Sequence, residues 1–286
     1  MTSEGIMATN DLKYWQQNNS NIAQRQIGAN DANNEAFVFG ARAGIPTFVP
    51  WQGGLTALAL GSPNHVALFD HFIVNSPSVN PGGFGQTVGD DSAATLSGEP
   101  GGVLKLVAGP DADDYVSIAA GLNWYTGAFN DAGYIYFNTN VKVGALADVV
   151  FEFGIADYVT MTDGFAFSDH SVDAVTSVAD NATIFAFDPN EASPNWVLNT
   201  ARNGFNQAYD TGIPVELNVW TQLGIVITPT GDALFYVGNR LIHIIEEAIA
   251  LNVQITPWGS LHTLAAGEVE GSIDYLSMVG ENPNVS

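Results

Sequence analysis

The chain has 286 residues, of which 30 are Asp or Glu and only seven are Lys or Arg, so its formal net charge is −23. A negative field of this size repels nucleic acid and anionic membrane surfaces, which argues against both as direct partners. The absence of cysteine excludes disulfide frameworks and cysteine-ligated metal sites.

The first 65 residues are predicted to form an extended N-terminal docking arm. They are rich in Asn and Gln, lack the basic-then-apolar pattern of a secretory signal, and end near the turn-rich stretch GIPTFVPWQGG. Such an arm cannot bury its own backbone and needs a neighbouring surface. A helix over residues 10–26 is the competing local structure. The large apolar side chains that favour docking over a disordered leader are Trp15, Phe37, Phe39, Phe48, Val49 and Trp51.

After the arm, short runs rich in β-branched and aromatic residues alternate with clusters of Gly, Pro, Asn and Asp. The predicted strands lie, in chain order, in 66–74, 101–109, 114–120, 133–143, 148–156, 182–187, 196–201, 221–228, 232–238 and 271–279. About ten strands at short spacing predict an all-β domain over 66–281, a two-sheet antiparallel sandwich or jelly roll, followed by a tail at 282–286. Strict alternation places Leu223, Ile225 and Ile227 on one face. No run reaches the roughly 18 apolar residues of a membrane helix, so we expect a soluble protein.

The stretch ALFYVGNRLIHIIEE is compatible with a hairpin or with a helix over 241–251. Gly238 and Asn239 both tolerate the positive φ that tight hairpin turns require. A helix would lack a Ser, Thr or Asp cap, with Asn239 as its single capping candidate. We therefore predict a hairpin, with room for one helical turn in the EEAIALN stretch beyond it.

Charge is distributed unevenly along the chain. Residues 1–66 hold four acidic and three basic side chains, a net charge of −1, so the remaining residues carry −23 + 1 = −22. A nearly neutral arm is thus attached to a strongly acidic body. The two parts are expected to face different surroundings.

Several short motifs occur in a characteristic order. Trp220 precedes an apolar strand, Tyr236-Val237 ends the next one before the Gly238-Asn239 turn, and Ile273-Asp274-Tyr275 lies in the last predicted strand. This order resembles the concanavalin A-like, laminin-G-like jelly roll as it occurs in tailed-phage virion proteins, over roughly 66–281. The resemblance implies a virion component whose sandwich faces solvent while its arm grips a shell or tail. The same sandwich also hosts lectins, glycosidases and inert structural modules.

No constellation of residues predicts catalysis. Glycoside hydrolysis needs two carboxylates that flank the scissile bond. The Glu-x-Asp-x-(x)-Glu string of the glucanase branch of the resembled fold is absent, and Glu152 has no acidic neighbour along its strand. The Asp169-His170 dipeptide is no pre-formed dyad, because adjacent strand residues point to opposite faces. We therefore predict that the protein is not an enzyme.

Two kinds of binding residue stand out. The loop GPDADDYVS offers Asp111, Asp113 and Asp114 as oxygen ligands for a calcium ion, with an ordinary solvated acidic turn as the alternative, and no other cofactor is predicted. Aromatic residues beside turns can stack on sugar rings. The candidates for this role are Trp124, Tyr125 and Trp196, with burial against a neighbouring strand or subunit as the alternative.

Together these features predict a non-enzymatic phage virion structural protein, specifically a capsid decoration or cement protein. It would be assembled in the host cytoplasm, dock through its arm on the major capsid protein or another virion protein, and display its acidic sandwich on the capsid surface. A homo-oligomer is expected, with a trimer as its expected form. The first alternative is a head or tail fibre adhesin that binds a host surface glycan, and the second is a polysaccharide depolymerase.

Overall fold

A computed structural model describes residues 65–70, 85–88, 91–97, 103–119, 124–126, 134–157, 164–190, 194–238 and 240–281. These residues form eighteen β-strands and contain no α-helix, which confirms the predicted all-β class. Within the same ranges, no helix is long and apolar enough to cross a membrane.

The strands follow one another at short intervals, as the sequence pattern predicted. They are β1 (His65–Asp70), β2 (Gly85–Val88), β3 (Ala93–Ser97), β4 (Val103–Ala108), β5 (Tyr115–Ala119), β6 (Trp124–Tyr125), β7 (Ile135–Val143), β8 (Val149–Ala156), β9 (Phe167–Asp169), β10 (Thr176–Ser177), β11 (Asn181–Phe187), β12 (Asn195–Arg202), β13 (Phe205–Pro214), β14 (Trp220–Ile227), β15 (Ala233–Val237), β16 (Arg240–Ile245), β17 (Gln254–Thr263) and β18 (Val269–Glu281).

The strands assemble into two large antiparallel sheets. Sheet A has the order β16-β15-β14-β7-β18-β4-β3, with β1 also paired to β18. Sheet B has the order β13-β12-β11-β8-β17-β5-β2, with β6 also paired to β17. A separate two-stranded ladder joins β9 and β10. Because most neighbours in each sheet are distant in sequence, the two sheets form a sandwich of the jelly-roll kind, as predicted.

The main apolar core lies between the two sheets. Leu223, Ile225 and Ile227 of β14 all face it, at most 1% exposed, so the predicted alternation is confirmed. Phe185 of sheet B and Phe235 of sheet A meet edge to face there, with ring centroids 5.3 Å apart at 84°. Such aromatic pairs contribute about 1 kcal/mol beyond their buried area, so this contact helps to fix one sheet on the other.

All ten predicted strand regions contain a strand, but the sequence did not predict β17. This strand lies between β8 and β5 in sheet B, yet Pro257 and Gly259 interrupt its apolar pattern. The ladder with β6 ends opposite Ile255, and the ladder with β5 begins opposite Trp258. On the side of β17 that faces β5 and β6, Pro257 therefore falls in a gap between two ladders, while on the other side it lies opposite Ile155 of β8.

The predicted hairpin is confirmed. β15 and β16 pair antiparallel, with Val237 opposite Arg240, and Gly238 in the turn has a φ of 60°. The competing helix is not formed. No helical turn forms beyond β16 either, because Glu247 and Asn252 adopt positive φ values of 51° and 61°.

The Ile273-Asp274-Tyr275 motif has a structural role on the outer face of sheet A. A β-bulge lies between Ile273 and Tyr275, and the Tyr275 hydroxyl accepts hydrogen bonds from Asn138 Nδ2 at 3.0 Å and Gln222 Nε2 at 2.9 Å. Burial raises the pKa of Tyr275 to about 12. The tyrosine thus stays neutral and ties β7, β14 and β18 together.

The predicted arm at 1–65 falls outside the described residues except for His65, as do the alternative helix at 10–26 and the tail at 282–286. The arm and its boundary therefore stay predictions. The six docking candidates outside the described residues are Trp15, Phe37, Phe39, Phe48, Val49 and Trp51.

Close packing between β8 and β11 generates a prediction. A Cβ added at Gly154 would lie 2.2 Å from the carbonyl oxygen of Thr183 and 2.7 Å from Cα of Ile184, both backbone atoms. Because backbone cannot move aside locally, Gly154→Ala should lower the free energy of unfolding by about 3 kcal/mol. The midpoint of urea unfolding measures the effect.

Gly259 on the neighbouring strand β17 supplies the matched control. An added Cβ there would meet only side-chain atoms, the nearest at 3.4 Å, so Gly259→Ala should cost less than about 1 kcal/mol. Equal losses in the two variants would contradict the packing described for Gly154.

Candidate functional site

The outer face of sheet B is partly covered by residues 164–180, which we call the crossing segment. A second apolar cluster, separate from the main core, joins this segment to the sheet. Its members on the sheet are Ala119, Ala156, Ala182, Ile184, Ala186, Ala201 and Trp258, and its members on the segment are Ala166, Phe167 and Ala179. The segment is therefore packed on the sheet as part of the fold.

Glu152 of β8 anchors the crossing segment. Its carboxylate is fully buried and accepts hydrogen bonds from the backbone N–H groups of Ala166 at 2.6 Å and Phe167 at 2.8 Å. On the sheet side, it accepts hydrogen bonds from Trp258 Nε1 at 3.0 Å and Ser260 Oγ at 3.1 Å. Two donors from the segment and two from β17 thus meet on one side chain, which fixes the segment to the sheet.

His170 completes this buried group. Its Nε2 atom lies 3.5 Å from Glu152 Oε1, and its Nδ1 atom lies 2.8 Å from Asn199 Nδ2 of β12. The preceding Asp169 points elsewhere and accepts a hydrogen bond from the Ser171 backbone N–H at 2.9 Å. The Asp169 carboxylate is thus engaged with the backbone of Ser171, whereas the His170 ring contacts Asn199 and Glu152.

The pKa values of the two buried groups are shifted in opposite directions. Burial raises the pKa of Glu152 to about 7, against the opposing effect of its four hydrogen bonds. Burial also lowers the pKa of His170 to about 4, against the nearby charge of Asp169. Both shifts favour the uncharged form, as expected for groups removed from water.

A cleft of about 500 Å³ opens beside this anchor, at one end of the outer face of sheet B. Five separate parts of the chain line it: the loop before β5 with the first residue of β5, the start of β8, the crossing segment, the residue after β11 and the end of β17. The lining residues are Asp113, Tyr115, Val150, Phe165, Phe167, Ser168, His170, Asp188, His262 and Leu264.

Backbone hydrogen bonds hold the acidic loop against the end of β17. The Asp113 N–H donates to the Thr263 carbonyl at 3.0 Å, and the Thr263 hydroxyl donates to the Asp111 carbonyl at 2.7 Å. Asp113 adopts a φ of 71°, a conformation that Asp tolerates better than most residues. These contacts bring Asp113 Oδ1 to 3.8 Å from Nε2 of His262.

Two aromatic rings form another part of the cleft wall. The Phe165 ring packs on the His262 ring, with centroids 5.3 Å apart. Gly164 lies against the Tyr115 ring, since a Cβ added at Gly164 would be 2.1 Å from Tyr115 Cδ2. Phe165 and Tyr115 are both partly exposed, so a ligand can reach them.

The polar groups of the cleft have different protonation tendencies. Burial lowers the pKa of His262, so this imidazole is neutral at neutral pH. Burial raises the pKa of Asp188, whose Oδ1 accepts a hydrogen bond from the Asn190 N–H at 2.9 Å. The cleft therefore presents carboxylate acceptors, a neutral imidazole and aromatic surface to a ligand.

The three aspartates of the predicted calcium site do not converge on one point. Asp114 is buried and accepts a hydrogen bond from the Asp111 N–H at 3.0 Å, whereas Asp113 faces His262. Across the described part of the chain, no three acidic or histidine side chains are grouped to hold a metal ion. Calcium binding stays a prediction that this geometry does not support.

The prediction that Trp124 and Trp196 stack on a sugar ring is wrong. Trp124 and Trp196 are each 1% exposed and belong to the main core. Trp196 packs edge-on against Phe185, and Trp124 lies against Gly280 of β18. Tyr125 is partly buried. The alternative that the sequence left open, burial against neighbouring strands, is the one observed for both tryptophans.

The structure is similar to solved structures at low sequence identity. A Bacillus licheniformis β-glucanase matches with 12% identity over 74% of this chain and 97% of that one, at a TM-score of 0.47. Peanut lectin with a nine-residue peptide matches with 9% identity over 75% and 97%, at 0.48. The carbohydrate recognition domain of Emp46p in potassium-bound form matches with 10% identity over 73% and 93%, at 0.47.

These similarities concern the fold alone, a concanavalin A-like and lectin-like jelly-roll sandwich. No protein-family model matches the chain, and no curated protein sequence does. Because one fold supports many functions, the geometry of the cleft indicates what this protein binds.

The opposed pKa shifts in the anchor predict opposite pH profiles for two variants. The folded chain holds the Glu152 proton up to about pH 7, whereas the unfolded chain releases it near 4.5, so acidification through this window stabilises the wild type. Glu152→Gln lacks this gain. Its free energy of unfolding should fall by about 3 kcal/mol relative to wild type from pH 7 to 4.5.

His170→Gln should behave in the opposite way. The unfolded chain protonates His170 near pH 6.5 and the folded chain only near 4, so acidification through this window destabilises the wild type. The variant should therefore gain about 3 kcal/mol relative to wild type between these pH values. Urea unfolding at several pH values measures both differences, with the exposed Glu216→Gln as control. Curves parallel to wild type would contradict the assigned burial.

Proposed function

We propose that the protein is a non-enzymatic sugar-binding module and that the sugar occupies the cleft on the outer face of sheet B. The observation that carries this proposal is the convergence of accessible aromatic rings with polar side chains in one cleft. Phe165 and Tyr115 supply the rings, and Asp113, Asp188 and His262 supply the polar groups.

The chemistry of a sugar fits this set of groups. One face of a pyranose ring carries C–H groups that pack on an aromatic ring, while its hydroxyls need directed hydrogen-bond partners. The carboxylates of Asp113 and Asp188 accept hydrogen bonds, and the neutral His262 ring can donate one and accept another. A few polar groups on a largely apolar wall give both affinity and orientation.

The position of Glu152 supports binding without bond cleavage. Glycoside hydrolysis requires two carboxyl groups that reach the scissile bond from opposite sides. Glu152 is fully buried beneath the crossing segment, and both of its oxygens are occupied by hydrogen bonds from the fold. Burial raises the pKa of Glu152, and its hydrogen bonds hold the segment on the sheet.

A glycan array followed by titration with the best ligand tests the sugar-binding function. Phe165→Ala removes the accessible ring and should weaken binding by about tenfold. Phe205→Ala is the matched control, because Phe205 is 66% exposed on β13 and does not line the cleft. Absence of any bound glycan, or equal loss in both variants, would refute the function. Repeating the array with EDTA tests the calcium prediction.

As a second candidate function, we propose that the chain is a virion surface component, specifically a capsid decoration protein. The specific support is the charge split, with a net of −1 in residues 1–66 and −22 in the remainder. An uncharged arm with large apolar residues can bury area on a capsid or tail protein, at about 25 cal/mol per Å². The acidic sandwich would then face solvent in a homo-oligomer, and the two proposed functions are compatible.

Deletion of residues 1–64 tests the docking arm. The remaining sandwich should keep its far-UV circular dichroism spectrum and a cooperative unfolding transition, because its main core lies between sheets A and B. It should lose attachment to virions in a co-sedimentation assay that retains the full chain. Undiminished attachment of the truncated protein, or absence of the full chain from virions, would contradict this second function.

A further inference from the structure

The charged groups of the cleft are all acidic. Asp113 and Asp188 line it, and none of its ten described lining residues is a lysine or an arginine. Asp114 and Asp169 lie near enough to influence the titration of His262 and Asp188 respectively. His262 is the cleft histidine that a ligand would meet, and burial lowers its pKa, which disfavours its charged form. A ligand therefore meets a negative potential with no local counter-charge.

Three of the four basic side chains that the structure describes are engaged away from the cleft, and the fourth, Arg240, does not line it. Lys105 forms an ion pair with Glu270, and Arg202 forms one with Glu247. The Lys142 ammonium lies 4.8 Å from the centre of the Trp220 ring. No basic residue that lines the described cleft is available to pair with an anionic ligand.

From this charge distribution we infer that the cleft selects sugars that carry a protonated amino group, over neutral sugars and over sugars that carry carboxylates. The inference rests on the proposed sugar-binding function and deepens it. An ammonium group on a sugar gains charge-assisted hydrogen bonds from Asp113 and Asp188. The partly exposed rings of Phe165 and Tyr115 attract the same cation through their faces. A uronate carboxylate in the same position would face like charges and lose its hydration.

The test compares tetrasaccharides of one backbone that differ in charge. Calorimetric titration at about pH 6 would use β-1,4-linked tetramers of glucosamine, N-acetylglucosamine, glucose and glucuronate. We expect the glucosamine tetramer to bind about three- to tenfold more tightly than the two neutral tetramers, and the glucuronate tetramer to bind most weakly. The preference should shrink when salt is raised from about 0.1 M to about 1 M, because the Debye length falls from about 10 Å to about 3 Å.

Two variants distinguish the effect of the cleft carboxylates on ligand preference from the effect of the protein's overall negative charge. Asp188→Asn keeps an oxygen acceptor for the Asn190 N–H but removes the charge, so it should abolish most of the preference for the amino sugar. Asp173→Asn makes the same change at an exposed position of the crossing segment that does not line the cleft, and it should leave the preference intact.

The possible outcomes distinguish a failure of the amino-sugar preference from a failure of sugar binding itself. If neutral tetramers bind and the glucosamine tetramer binds no better, or the glucuronate tetramer binds best, the inference fails while sugar binding stands. Equal loss of preference in Asp188→Asn and Asp173→Asn would assign the preference to the overall charge of −23 and also overturn the inference. If no tetramer binds, and the array finds no other glycan, the sugar-binding function fails and the inference fails with it.

Discussion

The buried carboxylate of Glu152 is the interaction on which the outer face of sheet B depends. Removing a charge from water costs several kcal/mol, so a side chain in this position needs strong partners. Four hydrogen-bond donors supply them, two from the crossing segment and two from β17. Hydrogen bonds to a charged group contribute about 1.5–3 kcal/mol each, so the four bonds offset part of this cost, and the raised pKa of Glu152 shows that desolvation still outweighs them. The segment is therefore held in one place, and the cleft wall that it carries has a defined shape.

The two outer faces of the sandwich use their polar residues for different purposes. On sheet A, the buried Tyr275 hydroxyl accepts hydrogen bonds from the side-chain amides of Asn138 and Gln222, so these amide donors are used within the fold. On sheet B, the polar groups at the cleft end are only partly satisfied within the fold. Asp113, for example, stands 3.8 Å from His262, beyond hydrogen-bonding distance, with its side chain 86% exposed. A ligand can therefore hydrogen-bond to an exposed group such as Asp113 far more easily than to a buried, already bonded group such as Tyr275.

Most of the long strands were predictable because alternation is a local signal, although β13 and β17 were not predicted. The site was not predictable, because its residues come from five separated segments. Phe165, Asp188 and His262 share no motif, and only folding brings them together. The lone Glu152 in the apolar strand VFEFG did carry a signal, since a charge at such a position must find partners elsewhere. The prediction that Trp124 and Trp196 are exposed was wrong, because proximity to turn residues does not determine whether a large ring points into the core or into solvent.

The charge of the protein connects the fold to both proposed functions. With only four basic residues after position 66, the acidic body has little counter-charge, and the basic side chains it does have pair mainly with Glu270, Glu247 and the Trp220 ring. Such a surface repels other copies of itself, which favours solubility and opposes aggregation. The same negative electrostatic potential acts in the cleft, where the concave, low-dielectric walls focus it. The excess of carboxylates that would keep a displayed body soluble therefore also determines the charge of the ligand that its cleft can accept.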